Sequence, residues 1–169
     1  MVSVFSQQII EITDNVNKST ICNHILRQLP QWFGIEESIV EYTGKVKELQ
    51  FFAIGNKEPV TGMPVDLASI TGFIAIETHY KHSAEIHVMG VVPLKHRSGS
   101  GKKLVEAAEE FCEKKGIKFL TVKTLSGSHK SEDYRKTRKF YEAMGFEPLE
   151  EFKTLWDEHN PCLYMIKVL

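Results

Sequence analysis

The residues best suited to bind a ligand lie in the segment GVVPLKHRSGSGKKL, residues 90–104. An apolar run passes through Pro93 into a turn with glycines at positions 99 and 101, and a helical pattern of apolar residues follows. Glycines let backbone N–H groups approach a ligand closely, and a helix N-terminus presents unpaired N–H donors at the positive end of its dipole. The segment is typical of a strand, a glycine turn and a helix that together bind an anion.

The charges around this turn favour an anionic ligand. Arg97, Lys102 and Lys103 surround the expected helix start, and the helix carries no acidic residue before Glu106. Positive side chains at the positive end of a helix are unfavourable unless an anion binds there. A later helix is expected to begin at Ser131. Two acidic residues directly follow Ser131 in its first turn, so this helix needs no ligand there. We therefore predict a phosphate-binding turn, the alternative being a solvated basic turn.

Two nucleotide-binding motifs do not fit this turn. A P-loop requires G-x-x-x-x-G-K followed by Ser or Thr, but Lys103 follows Lys102, and His96 occupies the first glycine position. A dinucleotide fold requires three glycines within a βαβ unit and an acid about 20 residues later. Here only two glycines occur, and the preceding strand is expected to pair antiparallel. The phosphate is therefore not expected to belong to ATP, GTP or NAD.

The composition restricts the class of protein. A chain of 169 residues, 42% hydrophobic and 25% charged, is expected to form one globular domain over residues 1–169. Its formal net charge of −1 predicts no binding to nucleic acid or to a membrane surface. Three dispersed cysteines, no Cys/His spacing typical of a metal site and no signal peptide favour a metal-free, cytoplasmic protein. The chain also has no apolar run of about 18 residues, the length that predicts a membrane-spanning helix.

The pattern of apolar residues predicts seven strands and four helices. The predicted strands cover residues 9–12, 49–54, 69–78, 84–92, 119–125, 146–152 and 163–169. The predicted helices begin after capping residues 17–20, at Ile35, at Gly99 and at Ser131. A polar loop with Trp156, Asp157, Asn160 and Pro161 is expected between the last two strands. This order predicts an α+β fold with a mixed, mostly antiparallel central sheet flanked by helices on both faces.

The glycine turn resembles the acetyl-coenzyme A motif of the GNAT superfamily of N-acetyltransferases. That motif is an apolar strand, V-x-P, then Q or R followed by x-x-G-x and a small residue at the start of a helix. Val91 and Pro93 match V-x-P, Gly99 and Gly101 match the small positions, and His96 stands where Gln or Arg is commoner. The resemblance implies a pyrophosphate on the backbone N–H groups of the turn and a pantetheine arm along the preceding strand. It assigns to the coenzyme Met89, Val91, His96, Arg97, Ser98, Gly99, Ser100, Gly101 and Lys102.

A second block downstream also resembles the superfamily, whose pattern there is N-x-x-A-x-x-F-Y-x-x-x-G-F. The matching register holds Tyr134, Thr137, Phe140, Tyr141, Gly145 and Phe146. Tyr134 replaces the usual Asn, so the resemblance gives no support for a coenzyme contact at that position. The two blocks cover residues 69–169 and are similar to an unassigned bacterial branch of the superfamily. The resemblance implies a GNAT fold with a splayed strand pair.

The same resemblance suggests catalytic residues for acetyl transfer to an amine. Tyr141 matches the tyrosine that the family uses as general acid toward the coenzyme sulfur, the alternative being a core side chain. Glu85 lies fourteen positions before Gly99, the offset of the catalytic glutamate in the histone acetyltransferase branch. We predict Glu85 as the general base, with His87 or a water molecule as alternatives. A backbone N–H near Val91 is expected to polarise the carbonyl.

The acceptor site is the least specific part of the prediction. The resemblance implies that it is walled by the first two helices and the late strand loop. Aromatic walls with a few acids suit a small ammonium compound, although each aromatic could instead anchor the core. The candidate residues for the acceptor are Trp32, Phe33, Tyr42, Glu77, Trp156 and Asp157.

These observations predict an acetyl-CoA-dependent N-acetyltransferase that needs no metal. Its expected acceptor is a primary amine of a small molecule, such as an amino acid, a polyamine or an aminoglycoside-like compound. The acetyl group would be transferred directly in a ternary complex. Two alternatives are a protein or peptide N-acetyltransferase and a non-catalytic sensor that binds acyl-CoA. A homodimer is left open.

Overall fold

A computed structural model describes residues 6–60 and 62–169 of the chain. This part contains seven strands and four α-helices. The strands are β1 (Gln8–Glu11), β2 (Gln50–Gly55), β3 (Ile70–Tyr80), β4 (Ser83–Val91), β5 (Phe119–Leu125), β6 (Glu147–Asp157) and β7 (Asn160–Val168). The helices are α1 (Asn15–Leu26), α2 (Glu36–Lys45), α3 (Ser100–Lys114) and α4 (Glu132–Ala143).

The strands form one mixed sheet in the order β1-β2-β3-β4-β5-β7-β6. β2 pairs antiparallel with β1 and β3, and β7 pairs antiparallel with β5 and β6. β4 and β5 are parallel, and their register runs from Ser83–Phe119 to Ile86–Val122, whereas β4 itself continues to Val91. The predicted α+β class with a mostly antiparallel sheet is confirmed, and the early end of the parallel ladder matches the expected splayed pair.

The chain divides into two compact units, the first built from residues up to Ile76 together with Val88–Ala108. Its core forms where the apolar face of α1 packs with the inner residues of β1, β2 and β3. The rings of Phe51 and Phe73 stack at its centre, with centroids 5.1 Å apart and planes 4° apart. Other core members are Ile10, Ile21, Ile25, Leu26, Leu29, Ile39, Ala53, Ala75 and Val88. Apolar burial of this kind is the main force that stabilises the unit.

The predicted cap of α1 was wrong by three residues. Asp14 is the N-cap residue, and its Oδ1 accepts a hydrogen bond from the backbone N–H of Asn17 at 2.7 Å. Asp caps a helix about as well as Asn, so the sequence offered several competing starts. Asn17 is buried inside the helix instead, and its side-chain oxygen accepts from the N–H of Val65 at 3.2 Å. Asn17 therefore tethers the loop after β2.

The second unit contains Glu77–His87 and Glu109–Leu169. Within it β5 lies between β4 and β7, with Leu120 and Val122 buried. α4 begins as expected, because the hydroxyl of its N-cap residue Ser131 accepts a hydrogen bond from the N–H of Tyr134 at 3.3 Å. Two acidic residues occupy the first turn of α4, where they stabilise the positive end of the helix.

The polar loop predicted between the last two strands is a β-hairpin. β6 extends to Asp157 and β7 begins at Asn160, so Trp156 and Asp157 lie on a strand. The Asp157 carboxylate accepts hydrogen bonds from the N–H groups of His159 at 2.7 Å and Asn160 at 3.0 Å, which close a tight turn. The β6–β7 register shifts between Phe152 and Asp157. The polar residues thus build a turn and an irregular strand end, for which the sequence pattern had predicted a loop.

Two glycines of the first unit should respond oppositely to alanine. A Cβ at Gly72 would lie 2.9 Å from the carbonyl oxygen of Gly90 and 3.1 Å from the Ile54 side chain, whereas a Cβ at Gly44 in α2 would meet no described atom within 4 Å. Gly72→Ala should therefore lower the free energy of unfolding by about 1–3 kcal/mol. Gly44→Ala should raise it by about 0.5–1 kcal/mol, because alanine favours a helix. Urea denaturation measures both, and equal effects would contradict the tight approach of β3 and β4 at Gly72.

Candidate active site

The glycine turn, which we define as residues 92–101, joins β4 to α3. A short 3-10 turn at Pro93–Lys95 follows the strand, and the backbone then passes through two left-handed residues. Arg97 has a φ of 61° and Gly99 a φ of 85°. Among the described residues, nothing lies within 4 Å of a Cβ built at Gly99, so the backbone angle and not crowding requires glycine there. The strand, turn and helix predicted from the sequence are all present.

The start of α3 presents backbone donors without acidic neighbours. The N–H of Lys103 donates to the carbonyl of Gly99 at 3.1 Å, which is the first hydrogen bond of the helix. Helix geometry therefore leaves the N–H groups of Ser100, Gly101 and Lys102 without acceptors inside the helix. The first turn carries no acidic side chain, and the Lys102 ammonium lies 3.7 Å from the exposed Glu106 carboxylate one turn later. The local electrostatics of this turn suit a bound anion.

His96 connects the turn to the end of β4. Its Nε2 donates a hydrogen bond to the carbonyl oxygen of Val91 at 2.7 Å, so this nitrogen carries the proton. The edge of the Trp32 ring packs against the His96 imidazole, with centroids 5.7 Å apart and planes 82° apart. His96, which stands where the motif usually has Gln or Arg, thus stabilises the turn. Trp32, a residue predicted for the acceptor, supports the His96 ring.

A second group of polar residues lies on β3, β4 and β5 within the second unit. The Lys123 Nζ donates to Oε2 of Glu85 at 2.6 Å, and Nε2 of His79 lies 3.5 Å from the same oxygen. The Glu85 side chain is only 8% exposed. Nδ1 of His87 lies 3.5 Å from Oε2 of Glu77, and both side chains are half-buried. We call these five residues the charged cluster.

The sequence indicated only part of the charged cluster. Glu85, His87 and Glu77 were singled out, whereas Lys123 and His79 were missed. Lys123 could have been noticed, because it interrupts the apolar strand β5 at a half-buried position where a lysine needs a partner. Its ammonium also lies 5.5 Å from the centroid of the Tyr164 ring. Glu85, the predicted base, is therefore one member of an ion-pair network.

Tyr141, the predicted general acid, lies on α4 in the second unit and is 5% exposed. Its ring packs edge-on against Phe140 at 5.3 Å and Phe146 at 5.6 Å between centroids. These contacts fix the orientation of the ring. Its role as an acid stays a prediction, because these contacts also suit a core tyrosine.

The residues predicted for the acceptor are divided between the two units. Trp32 and Phe33 belong to the first unit and pack against its core, and Phe33 meets Tyr42 edge-on at 5.8 Å. In the second unit, Trp156 on β6 is 44% exposed. The side-chain amide of Asn160 and the N–H of His159 lower the pKa of the Asp157 carboxyl, which closes the hairpin turn. Trp32, Phe33, Tyr42 and Asp157 therefore each have a structural contact.

Some other kinds of chemistry find no support in the described ranges 6–60 and 62–169. No group of three His, Cys, Asp or Glu side chains in these ranges could hold a metal ion. No helix there is long and apolar enough to cross a membrane. The three cysteines are buried, and burial raises the pKa of the Cys22 thiol to about 12 and those of Cys112 and Cys162 to about 11. At neutral pH these thiols stay protonated and are poor nucleophiles.

Comparison with known families identifies the fold that carries these groups. A family model described as an acetyltransferase (GNAT) domain matches residues 51–148. The chain belongs to the GNAT acetyltransferase family. The matched residues include the glycine turn, the Glu85 strand and Tyr141, so the resemblance found in the two sequence blocks is confirmed. A comparison with the sequences of curated proteins gives no match.

Solved structures share this GNAT fold at low sequence identity. The IAA acetyltransferase from Bacillus cereus superposes with a TM-score of 0.69 and 17% identity, over 97% of this chain and 100% of that one. An aminoglycoside 6'-N-acetyltransferase complexed with coenzyme A gives a TM-score of 0.69 at 18% identity, over 95% and 96% of the two chains. The ribosomal-protein-S18-alanine N-acetyltransferase from Escherichia coli gives 0.67 at 15%, over 96% and 94%. At such identities the likeness establishes the fold alone.

The Lys123–Glu85 contact should contribute to stability. Lys123→Met leaves the buried Glu85 carboxylate without its closest cation and should lower the free energy of unfolding by about 1–3 kcal/mol, less than for a fully buried pair because Lys123 is partly exposed. Adding Glu85→Gln removes the unpaired charge, so the double variant should lose less than the sum of the single variants. Urea denaturation at pH 7 measures the cycle, with the exposed Lys130→Met as control. Strictly additive losses would contradict the pairing.

Proposed function

We propose that this GNAT protein transfers the acetyl group of acetyl-CoA to a primary amine of a small molecule, directly and in a ternary complex. The observation that carries the proposal is the glycine turn. Arg97 and Gly99, both with left-handed backbone angles, lead into α3. The first turn of α3 has backbone N–H groups without acceptors inside the helix and no acidic side chain. Such a helix start is stabilised by a doubly charged anion such as a pyrophosphate. The family match supports coenzyme A as the source of that anion.

The residues present fit the coenzyme. The N–H groups of Ser100, Gly101 and Lys102 would hold the pyrophosphate, and the Arg97 and Lys102 side chains would add positive charge. The backbone of β4 around Met89 and Val91, which continues beyond the ladder with β5, would bind the pantetheine arm by adding β-type hydrogen bonds. Acetyl-CoA supplies a thioester-activated acetyl group when it is bound. Holding this group beside an amine can contribute much of the rate, since effective molarities of about 10⁵ M are reached by good alignment.

Proton transfers are assigned to residues of this chain. The attacking amine must lose a proton, and Glu85 in the charged cluster is the first candidate to accept it, directly or through water. His87 is the second candidate, because Glu77 holds its Nδ1 side and can fix the orientation of the ring. Tyr141 would donate a proton to the departing sulfur, and its aromatic neighbours fix the ring that carries the hydroxyl. A non-catalytic sensor would need none of these groups.

The acceptor is proposed to be a small ammonium compound. Support comes from acidic residues of the charged cluster and from the aromatic side chains of Trp32, Phe33 and Trp156, which suit cations. The aminoglycoside acetyltransferase has the same fold, but so does the enzyme whose name gives a ribosomal protein as its substrate. A protein or peptide amine is therefore the second candidate and enters the test.

A panel of amines assayed for coenzyme A thiol release tests the function. The panel contains amino acids, polyamines, aminoglycosides and peptides with free N-termini, each with acetyl-CoA. Because the three cysteines of the protein are buried, its own thiols should add little background to the signal. We expect turnover with a small amine above that with any peptide. Turnover with peptides alone would favour the second candidate, and tight coenzyme binding without any turnover would favour the sensor.

Tyr141→Phe should lower kcat about 100-fold and leave the affinity for acetyl-CoA essentially unchanged, because a general acid contributes about 10²–10⁴ to the rate. The substitution keeps the ring and its packing, so the fold should persist. Steady-state kinetics with the best amine of the panel measure both parameters. Tyr80→Phe, at an exposed position on β3, is the matched control. An unchanged kcat in Tyr141→Phe would remove Tyr141 from the acid role and leave it as a core side chain.

A further inference from the structure

Gln7, just before β1, joins two distant parts of the first unit, β3 and the start of α3, through its side chain. Its Nε2 donates a hydrogen bond to Oγ1 of Thr71 on β3 at 2.7 Å. Its Oε1 accepts a hydrogen bond from the hydroxyl of Ser100, the first residue of α3, at 3.2 Å. The Gln7 backbone carbonyl also accepts from Nζ of Lys103 at 3.5 Å. One residue near the start of the chain therefore contacts the helix start that the proposed function assigns to pyrophosphate.

The Gln7 contact continues into the glycine turn through hydroxyl groups. The Ser98 and Ser100 oxygens lie 2.8 Å apart, and the Ser98 hydroxyl donates to the carbonyl of Lys95 at 2.6 Å. On the other side, the Thr71 carbonyl accepts from the N–H of Val92 at 2.9 Å, where the turn begins. These hydrogen bonds therefore begin and end on the glycine turn, and the Gln7 side chain links the two ends through Ser100 and Thr71.

Proton counting shows that the Gln7 amide gives the two hydroxyl groups an additional acceptor. Ser98 and Ser100 have one hydroxyl proton each, yet three contacts involve these hydroxyls: Ser98 with Lys95, Ser98 with Ser100, and Ser100 with Gln7. When the Ser98 hydroxyl donates to the Lys95 carbonyl, the Ser100 hydroxyl donates either to Oε1 of Gln7 or to the Ser98 oxygen. Ser100 is 2% exposed, and a buried hydroxyl that lacks a partner is costly. A side chain that accepts at one end and donates at the other suits this position.

We propose that Gln7 is a positioning residue for the coenzyme. It holds Ser100, and with it the first turn of α3, in the orientation that presents the N–H groups of Ser100, Gly101 and Lys102 to the pyrophosphate. Gln7 does not itself touch the coenzyme in this proposal, which rests on the proposed function of the turn. The amide is neutral, so it anchors the turn without placing a negative charge beside the anion.

Calorimetric titration of the full chain with coenzyme A tests the proposal, and thermal unfolding of each ligand-free variant is recorded alongside. Gln7→Met keeps the length of the side chain and removes both hydrogen bonds, so it should raise Kd roughly three- to tenfold. Gln7→Glu places a carboxylate near the turn and should raise Kd further, with an excess that shrinks as ionic strength rises. The matched controls are Gln8→Met and Gln8→Glu, since Gln8 is the exposed neighbour on β1. Both should bind nearly as the unsubstituted chain does.

A double-mutant cycle shows whether Gln7 acts through Ser100. If it does, the effects of Gln7→Met and Ser100→Ala on Kd should be less than additive in the double variant. In turnover assays, Gln7→Met should raise KM for acetyl-CoA and leave kcat unchanged. A Gln7→Met variant with a lowered melting temperature but an unchanged Kd would overturn the proposal, because the residue would then be only a structural tie. Fully additive effects would also overturn it. No coenzyme binding by the unsubstituted chain would overturn the proposed function itself, and this inference with it.

Discussion

The proposed donor site depends on one electrostatic constraint, the excess of positive charge at the start of α3. Backbone N–H groups, Arg97 and Lys102 all bring positive charge to this turn, and the first acid of the helix comes only at Glu106, one turn later. A helix can begin in this way when an anion completes it. The surrounding features prepare the turn: left-handed Arg97 and Gly99 shape it, and His96 connects it to β4. The hydroxyl contacts of Ser98 and Gln7 hold Ser100, the first residue of α3.

The residues proposed for proton removal and for the coenzyme both lie on β4. Side chains of a strand alternate between its faces, so residues 85, 87, 89 and 91 point to one side and residues 84, 86, 88 and 90 to the other. The second set is buried throughout, and a Cβ at Gly90 would lie 3.0 Å from both Ile25 and Leu29 of the first core. Glu85 and His87, proposed for proton removal, therefore share a face with Met89 and Val91, proposed for the coenzyme. The alternation of side chains therefore places these four residues on one face of β4, in the order of the sequence.

Features encoded by short, continuous stretches were predictable from the sequence. All seven strands and four helices were expected, as were the glycine turn and the capped start of α4 at Ser131. Features that depend on contacts between distant residues were missed. Asp14 and Asn17 were both good caps, and only the burial of Asn17 against the loop at Val65 decides between them. The partners Lys123 and Glu85 are 38 positions apart, and Gln7 and Ser100 are 93 apart, so no local pattern could pair them.

The same distinction between local features and contacts of distant residues applies to the proposed donor and acceptor sites. A coenzyme held mainly by backbone groups needs only the right dihedral angles, which a run of fifteen residues from Gly90 to Leu104 can specify. A variable amine must be recognised by side chains, and in this chain the candidate side chains also have structural tasks. Trp32 packs on the His96 ring that braces the turn, and Asp157 closes a hairpin. Trp32, proposed for the acceptor, contacts His96 of the glycine turn, so a substitution of Trp32 would change both proposed sites.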